Sequence, residues 1–330
     1  MREQQFSGCL IGQCLGDALG FVVEGCPPEV CRRYVSETLN TNRAGEREPA
    51  SFAFGQYSDD SQLARELLQS YATHGRFDPE DYARSIAAIF SEGRIVGRGR
   101  ATEAAAERLA RGVPWQVSGT PAPSAGNGSA MRAGPIGLLF FDDPEGLVWA
   151  ARDQGSITHR DPRCSAGSVA IAGAVALALQ DEKIVAPRFL FRLAEWVEPV
   201  EESVAFGLRQ LVEWILLPPD EAANYIAKFG RDQDHSDGWQ GISPFVTASV
   251  LWSLYSFLRT PEDYWETICT AIAVGGDVDT TAAMAGAISG TYLGLEAIPS
   301  RLAHRLTDRG TWGFAELVEL AYTCYRLKTG

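Results

Sequence analysis

The sequence predicts an all-α protein folded as a single compact multi-helix domain over residues 1–330, and three observations carry that prediction. Apolar residues recur at helical spacing along most of the chain. No run alternates apolar and polar residues between hairpin turns, and even the most β-like stretch, Ile136 to Phe141, has neither feature. Hydrophobic residues make up 45% of the chain and charged residues 22%, the balance of a globular protein with a substantial core.

Taken in order, the spacing predicts helices over 5–22, 61–73, 79–91, 102–111, 144–153, 163–180, 187–197, 201–215, 220–228, 243–258, 262–273, 280–292, 299–307 and 313–326. The first carries Gly8, Gly12, Gly16 and Gly20 at four-residue intervals, with Glu24 one step beyond. Each glycine costs about 0.8–1 kcal/mol relative to alanine inside a helix, so close packing or a ligand must compensate. The segments 164–179 and 281–290 are equally rich in small residues and are the expected neighbours of that stripe. The second helix rests on Leu63, Ala64, Leu67, Leu68 and Tyr71, which places Ser58, Asp59 and Asp60 at its N-terminus. Cys164 to Leu179 reads as a buried core helix too short to span a bilayer. Loops are expected at 25–57, at 112–130 and at 230–242, none long enough to be a clear interdomain linker.

A net charge of −13 and a pI near 4.9 argue against a nucleic-acid backbone or an anionic membrane as the main partner. No charged-then-apolar leader opens the chain, so a cytoplasmic protein is expected. Its seven cysteines include no C-x-x-C pair and read as small buried hydrophobes.

Two acidic clusters stand out, Ser58-Asp59-Asp60 and Gly275-Gly276-Asp277-Val278-Asp279-Thr280, each placed before a helix. Alone, either is an ordinary helix cap. Together, Asp59, Asp60, Asp277 and Asp279 would repel one another, and would either hold raised pKa values or take divalent cations between them. Oxygen ligands of this kind suit Mg²⁺, Mn²⁺ or Ca²⁺. The D-D-x-x-D spacing of Mg²⁺-dependent isoprenoid enzymes is absent, because Asp60 is followed by Ser61, Gln62, Leu63 and Ala64.

Between the clusters lie Gly126-Asn127-Gly128-Ser129-Ala130-Met131-Arg132 and Thr158-His159-Arg160-Asp161-Pro162. The first is either a Gly-Asn turn or a run of backbone N–H groups open to an anionic diphosphate. Arg132 can pair with phosphate or form a structural salt bridge, and a lone histidine such as His159 is more often structural than functional. Asp17 is either a support for the acidic site or a buried carboxylate bonded to a nearby loop.

In order, Gly16-Asp17-Ala18-Leu19-Gly20 with Glu24, the two acidic clusters, the glycine-rich loop and the Thr158-His159 segment resemble the ADP-ribosylglycohydrolases, from about residue 5 to about residue 298. The resemblance implies an all-α fold around a central binuclear site of two Mg²⁺ or Mn²⁺ ions. It implies hydrolysis of the bond joining ADP-ribose to an acceptor: a protein side chain, a nucleic-acid end or a small metabolite. Ser58, Asp59, Asp60, Asp277, Asp279 and Thr280 fall on the family's metal ligands, with Asp279 as the bridge and Ser58 standing where the family usually has threonine. Glu24, Asp59 and Asp60 take the catalytic positions, and Gly126, Asn127, Gly128, Ser129, Met131 and His159 those that bind ADP-ribose. Basic residues in Gly97-Arg98-Gly99-Arg100-Ala101-Thr102, where some arginine-directed members carry an Asp near the pocket, set arginine specificity in question. A monomer is expected, with no membrane partner and nucleic acid only as a modified acceptor; the alternative is a non-catalytic ADP-ribose binder on the same scaffold.

Overall fold

In the computed structural model, which describes residues 2–41, 43–46, 51–231 and 238–330, the chain is built from helices joined by turns. In chain order they are α1 Arg2–Gly20, α2 Pro28–Tyr34, α3 Asp59–His74, α4 Pro79–Ser91, α5 Arg100–Ala110 and α6 Trp115–Ser118. There follow α7 Gly134–Leu139, α8 Pro144–Ser156, α9 Pro162–Gln180, α10 Ala186–Val197, α11 Glu202–Trp214 and α12 Pro219–Ile226. The last are α13 Val246–Arg259, α14 Tyr264–Ala273, α15 Val278–Leu293, α16 Ser300–Ala303 and α17 Phe314–Thr329. Among the described residues there is no sheet, only isolated bridges such as Gln56 with Thr307 and Ile242 with Gly276.

Three helices begin on an Asp-Pro pair. Asp78, Asp143 and Asp161 each accept backbone N–H groups of the first turn, and the following proline occupies a position that needs no donor. Those starts were readable within a residue.

The axis of the fold is the antiparallel pair of α1 and α15. A Cβ at Gly8 would lie 2.1 Å from the Gly290 carbonyl oxygen, one at Gly12 2.4 Å from that of Gly286, and one at Gly16 2.2 Å from that of Ala282. The stripe is therefore a seam where two backbones touch, which offsets the helix cost of its glycines. At its end, a Cβ at Gly20 would lie 2.5 Å from the Asp279 Cα, so the seam delivers the chain after α1 to the first turn of α15.

The other expected neighbour lies elsewhere: α9 packs mainly on α7, α8, α10, α13 and α15. With 19 residues, α9 is long and apolar enough to cross a membrane, contrary to the shorter span expected; it is enclosed by protein, with Cys164 to Leu179 all buried, and so is a core helix. The cysteines are free thiols, all buried except the half-buried Cys26.

Several predicted boundaries differ. The expected loop 25–57 contains α2 and a π-helical turn, Val35–Leu39, and part of it lies outside the described residues, as does part of 230–242. Helices α6 and α7 fall in stretches read as loop or β-like. In α7 the buried Gly134-Pro135-Ile136-Gly137 start looks like a breaker in sequence, yet proline at the first turn is compatible with a helix. Only Ser300–Ala303 of the expected 299–307 is helical. Helix α13 starts at Val246 rather than 243 because the preceding residues are extended, with Pro244 accepting the Asn127 N–H at 2.9 Å.

Candidate metal and ligand site

The two acidic clusters meet. Asp59, Asp60, Asp277, Asp279 and Thr280 line one pocket of about 390 Å³, together with Glu24, Gly126, Asn127, Gly128, Met131 and His159. Residues more than two hundred positions apart thus share one wall.

Asp59 and Asp60 form the first turn of α3, whose dipole favours negative charge. Ser58 is the cap: its Oγ accepts the Asp60 N–H and donates to Asp60 Oδ2 at 3.0 Å. Its hydroxyl is engaged there and Ser58 does not line the pocket. Asp17 resolves the two readings left open for it by satisfying both. Its Oδ1 accepts the Ser58 N–H at 2.9 Å and its Oδ2 accepts the Ser61 N–H at 3.1 Å, so a buried carboxyl on α1 clamps the turn that carries the acidic pair. Gln13, one turn earlier on α1, donates to the carbonyls of Asp60 and Met131, each at 3.0 Å.

The second acidic turn is positioned by backbone. Gly275 and Gly276 hold φ of 76° and 89°, and a Cβ at Gly276 would fall 2.0 Å from the Ile242 carbonyl oxygen. Gly276 exchanges backbone hydrogen bonds with the turn at Gly25 and Cys26, both 2.9 Å, which brings Glu24 alongside. Glu24 itself is exposed on that turn, but carboxylate oxygens of Glu24, Asp277 and Asp279 lie within 4.8 Å of one another. Asp277 accepts from Asn127 Nδ2 at 2.5 Å and from Thr280 Oγ1 at 3.3 Å.

Crowding this many carboxyls where water is scarce has the expected electrostatic result. Burial, with Asp60 as neighbour, pushes Asp277 up to about 8, and burial takes Asp60 to about 7. Burial and neighbouring carboxyls raise Asp17, Asp59 and Asp279 well above the carboxylate range, and Glu24, exposed as a residue but with its carboxyl turned to Asp277 and Asp279, is raised by the loss of water around that group. Asp60 Oδ1 and Asp279 Oδ1 are buried with no hydrogen-bond partner. Partnerless buried carboxylate oxygens in an all-oxygen donor set fit a hard divalent cation.

Opposite stands the glycine-rich loop. Gly126 and Gly128 present bare backbone beneath the His159 ring, whose Nε2 would lie 3.5 Å and 3.2 Å from a Cβ added at each. His159 is buried, and burial together with Arg132 pushes its pKa down to about 3, so the imidazole is neutral. Ser129, expected to touch ligand, does not line the pocket: its hydroxyl turns inward and donates to the Cys164 carbonyl at 3.2 Å. Arg132 takes neither role weighed for it. It is wholly buried over the Tyr82 ring and donates to Gln154 and Thr158, with no ion pair among the described residues.

The rim includes Ala101 and Thr102 from the stretch read as bordering the pocket, and adds residues that sequence reasoning did not assign: Ser124, Trp239 and Pro244. Ser124 sits directly before the glycine-rich loop. Trp239 follows Gly238 in a polar stretch, and a large aromatic that no helical face claims was the available signal. Arg98 and Arg100 also reach this rim, Arg98 paired with Glu103 at 2.7 Å.

Comparison with known proteins agrees with this geometry. An uncharacterized protein from Archaeoglobus fulgidus is 30% identical over 98% of this chain and 97% of its own length. The ADP-ribosylhydrolase ARH3 of Xenopus tropicalis is 31% identical, covering 98% of this chain and 97% of that one. The ADP-ribosylarginine hydrolase Tri1 of Pseudomonas putida is 27% identical over 88% of this chain and 71% of its own. A solved structure described as an ADP-ribosylglycohydrolase-related protein complex superposes with a TM-score of 0.72 at 28% identity, covering 99% of both chains. Residues 1–328 match the ADP-ribosylglycohydrolase family, and with that match and these relatives the chain belongs to it.

Proposed function

We propose that this chain hydrolyses the glycosidic bond between ADP-ribose and an acceptor, using two Mg²⁺ or Mn²⁺ ions held by Asp59, Asp60, Asp277, Asp279 and Thr280, with Ser58 orienting Asp60. The observation that carries this reading is the pair of partnerless buried oxygens, Asp60 Oδ1 and Asp279 Oδ1, in a wall of carboxyls facing a bare-backbone loop. The names of the relatives, ADP-ribosylhydrolase and ADP-ribosylarginine hydrolase, support the same chemistry.

When bound, the ions supply Lewis acidity and positive charge in a chain whose net charge of −13 would otherwise repel a diphosphate. The residues do the rest. Gly126 and Gly128 seat the diphosphate along their backbone, while Asn127, its own N–H held by the Pro244 carbonyl, fixes Asp277 through its side chain. Met131 and His159 close that side, so the ribose comes to lie against the acidic wall. There Asp59 or Asp60 takes a proton from the attacking water as its oxygen bonds to the anomeric carbon. The bond to the acceptor breaks, and the acceptor departs with its electron pair and takes up a proton. Glu24, on its exposed turn, moves to admit substrate and assists at the anomeric carbon.

Arg98 and Arg100 at the rim disfavour a cationic acceptor. The test is a panel of arginine-, serine- and nucleotide-linked ADP-ribose substrates assayed with Mg²⁺, Mn²⁺ or EDTA. Release of free ADP-ribose that EDTA abolishes, fastest on a non-cationic acceptor, is expected. Binding of ADP-ribose without release from any substrate would make the chain a binder instead.

A further inference from the structure

We infer that His159 presents a fixed Nε2–H donor to the pocket, and that Arg132, acting through the Thr158 hydroxyl, is the positioning residue that sets this tautomer.

The argument is a count of protons. Arg132 has donors only. Its Nε donates to Gln154 Oε1 at 3.0 Å, and its Nη2 donates to the Gln154 carbonyl at 2.9 Å and to Thr158 Oγ1 at 2.8 Å. Thr158 Oγ1 is in turn 2.8 Å from His159 Nδ1. Having accepted from the guanidinium, the hydroxyl has one proton to give, and the ring nitrogen is the acceptor within reach. Were Nδ1 the donor instead, Thr158 would receive two hydrogen bonds, and its own proton would be left without a partner at a wholly buried position. Nδ1 therefore accepts, and a neutral imidazole with Nδ1 accepting carries its proton on Nε2. Arg132 and burial both oppose a second proton on the ring.

Nε2 faces the bare backbone of Gly126 and Gly128, with the Thr102 hydroxyl beside it: a Cβ added at Gly128 would lie 3.1 Å from Thr102 Oγ1 and 3.2 Å from Nε2. Its partner in the pocket must offer a lone pair, and the oxygens of a sugar-linked diphosphate are that chemistry; this ligand class rests on the proposed ADP-ribose reading, whereas the tautomer does not. Gln154 extends the device. Its Nε2 donates to the Ser129 carbonyl at 2.9 Å, so the residue that holds Arg132 also holds the loop across which His159 looks.

Ring-¹⁵N-labelled histidine tests this directly, because the chain has four histidines and His159→Asn identifies the relevant signals. Metal-free wild-type protein at neutral pH is expected to show His159 protonated on Nε2 and accepting on Nδ1. Thr158→Val should lose that single tautomer and bind ADP-ribose about tenfold or more weakly by calorimetry, the scale of one hydrogen bond to a charged group. Thr158→Ser, which keeps the hydroxyl, should restore both. Protonation on Nδ1 or on both nitrogens in the wild type overturns the relay, as does Thr158→Val with an unchanged spectrum. If Thr158→Val does not fold, the wild-type and Thr158→Ser spectra still decide. Should the Nε2–H signal be present but unmoved by saturating ADP-ribose, the relay stands and the ligand assignment falls, together with the binding pose of the proposed function.

Discussion

Helices α3 and α15 both open on paired carboxylates facing one pocket, yet the two starts are held by different means. At α3 the support is side-chain: Asp17 clamps Ser58 and Ser61, and Gln13 holds the Asp60 carbonyl. A second tier lies behind it. Gln62 and Arg65 both bond Asp308 from the C-terminal turn, at 2.8 Å and 2.7 Å, and Gln62 also holds the pocket-bordering segment at Arg94 and Val96. At α15 the support is backbone: Gly275 and Gly276 in left-handed conformations, the Asp277 N–H on Ile242 at 2.7 Å, and the glycine seam with α1 behind. A side-chain scaffold can lose one bond and keep its shape. A backbone scaffold leaves no room for a single added methyl.

The largest expected effect follows from that contrast. Gly276→Ala combines a positive φ with a Cβ 2.0 Å from a carbonyl oxygen, and is expected to cost about 3 kcal/mol or more of stability, read as a lowered urea midpoint. A midpoint shifted by a few tenths of that amount would show the α15 start to be as forgiving as that of α3.

Next comes Asp308→Ala, which leaves Arg65 buried with Glu66 as its remaining carboxylate and removes one of the partners of Gln62. Breaking a buried pair costs about 3–5 kcal/mol, less here because Glu66 stays. Expected are a smaller loss of stability than for Gly276→Ala and weaker divalent binding through the displaced α3 start. Unchanged metal affinity in the folded variant would confine Asp308 to the fold.

Asp17→Asn is expected to act on the site more than on the fold. It keeps one acceptor and turns an amide toward the other N–H, costing about 1–3 kcal/mol. It also removes a carboxyl whose charge adds to the repulsion at Asp59 and Asp279. Metal-free stability should fall by that modest amount while divalent affinity falls by a larger factor, and equal losses in both would remove the distinction.

A separate prediction concerns the pH dependence of the metal-free protein, where the sign is the test. Carboxyls raised on folding, Asp60 to about 7 and Asp277 to about 8 against 3.8 as the ordinary value, keep protons that the unfolded chain has released. Folded protein then binds more protons than unfolded across that window, so stability should fall as pH rises from about 4 to about 8. Added Mg²⁺ should reverse the trend, raising the melting temperature more at pH 8 than at pH 5; a hundredfold excess over Kd contributes about 2.7 kcal/mol. A melting temperature that rises with pH without metal would contradict the account of the wall.

The same contrast explains what was legible in sequence. Charge and small residues announce themselves, so Asp59, Asp60, Asp277, Asp279 and the stripe from Gly8 to Gly20 could be read directly. Both small-residue segments were expected beside that stripe, because α9 and α15 are equally poor in bulk, and tertiary packing gave the seam to α15. Support by side chains was much less visible. Nothing local marks Gln62 or Asp308 as joined, since hydrogen bonds across 246 residues leave no spacing to read. The inward turn of the Ser129 hydroxyl onto the Cys164 carbonyl was likewise invisible, because the partner lies 35 residues away. Helix α2 was hidden by prolines that, at a first turn, begin a helix rather than break it.

That the two differently held starts converge on one divalent site is the central claim, and Mn²⁺ binding measures it most directly. Calorimetric or electron-paramagnetic titration of the metal-free protein should find two saturable Mn²⁺ per chain, displaced by Mg²⁺, and Asp279→Asn should abolish that binding while the helical circular dichroism persists. No saturable Mn²⁺ in the folded wild type, or undiminished binding in Asp279→Asn, would contradict it.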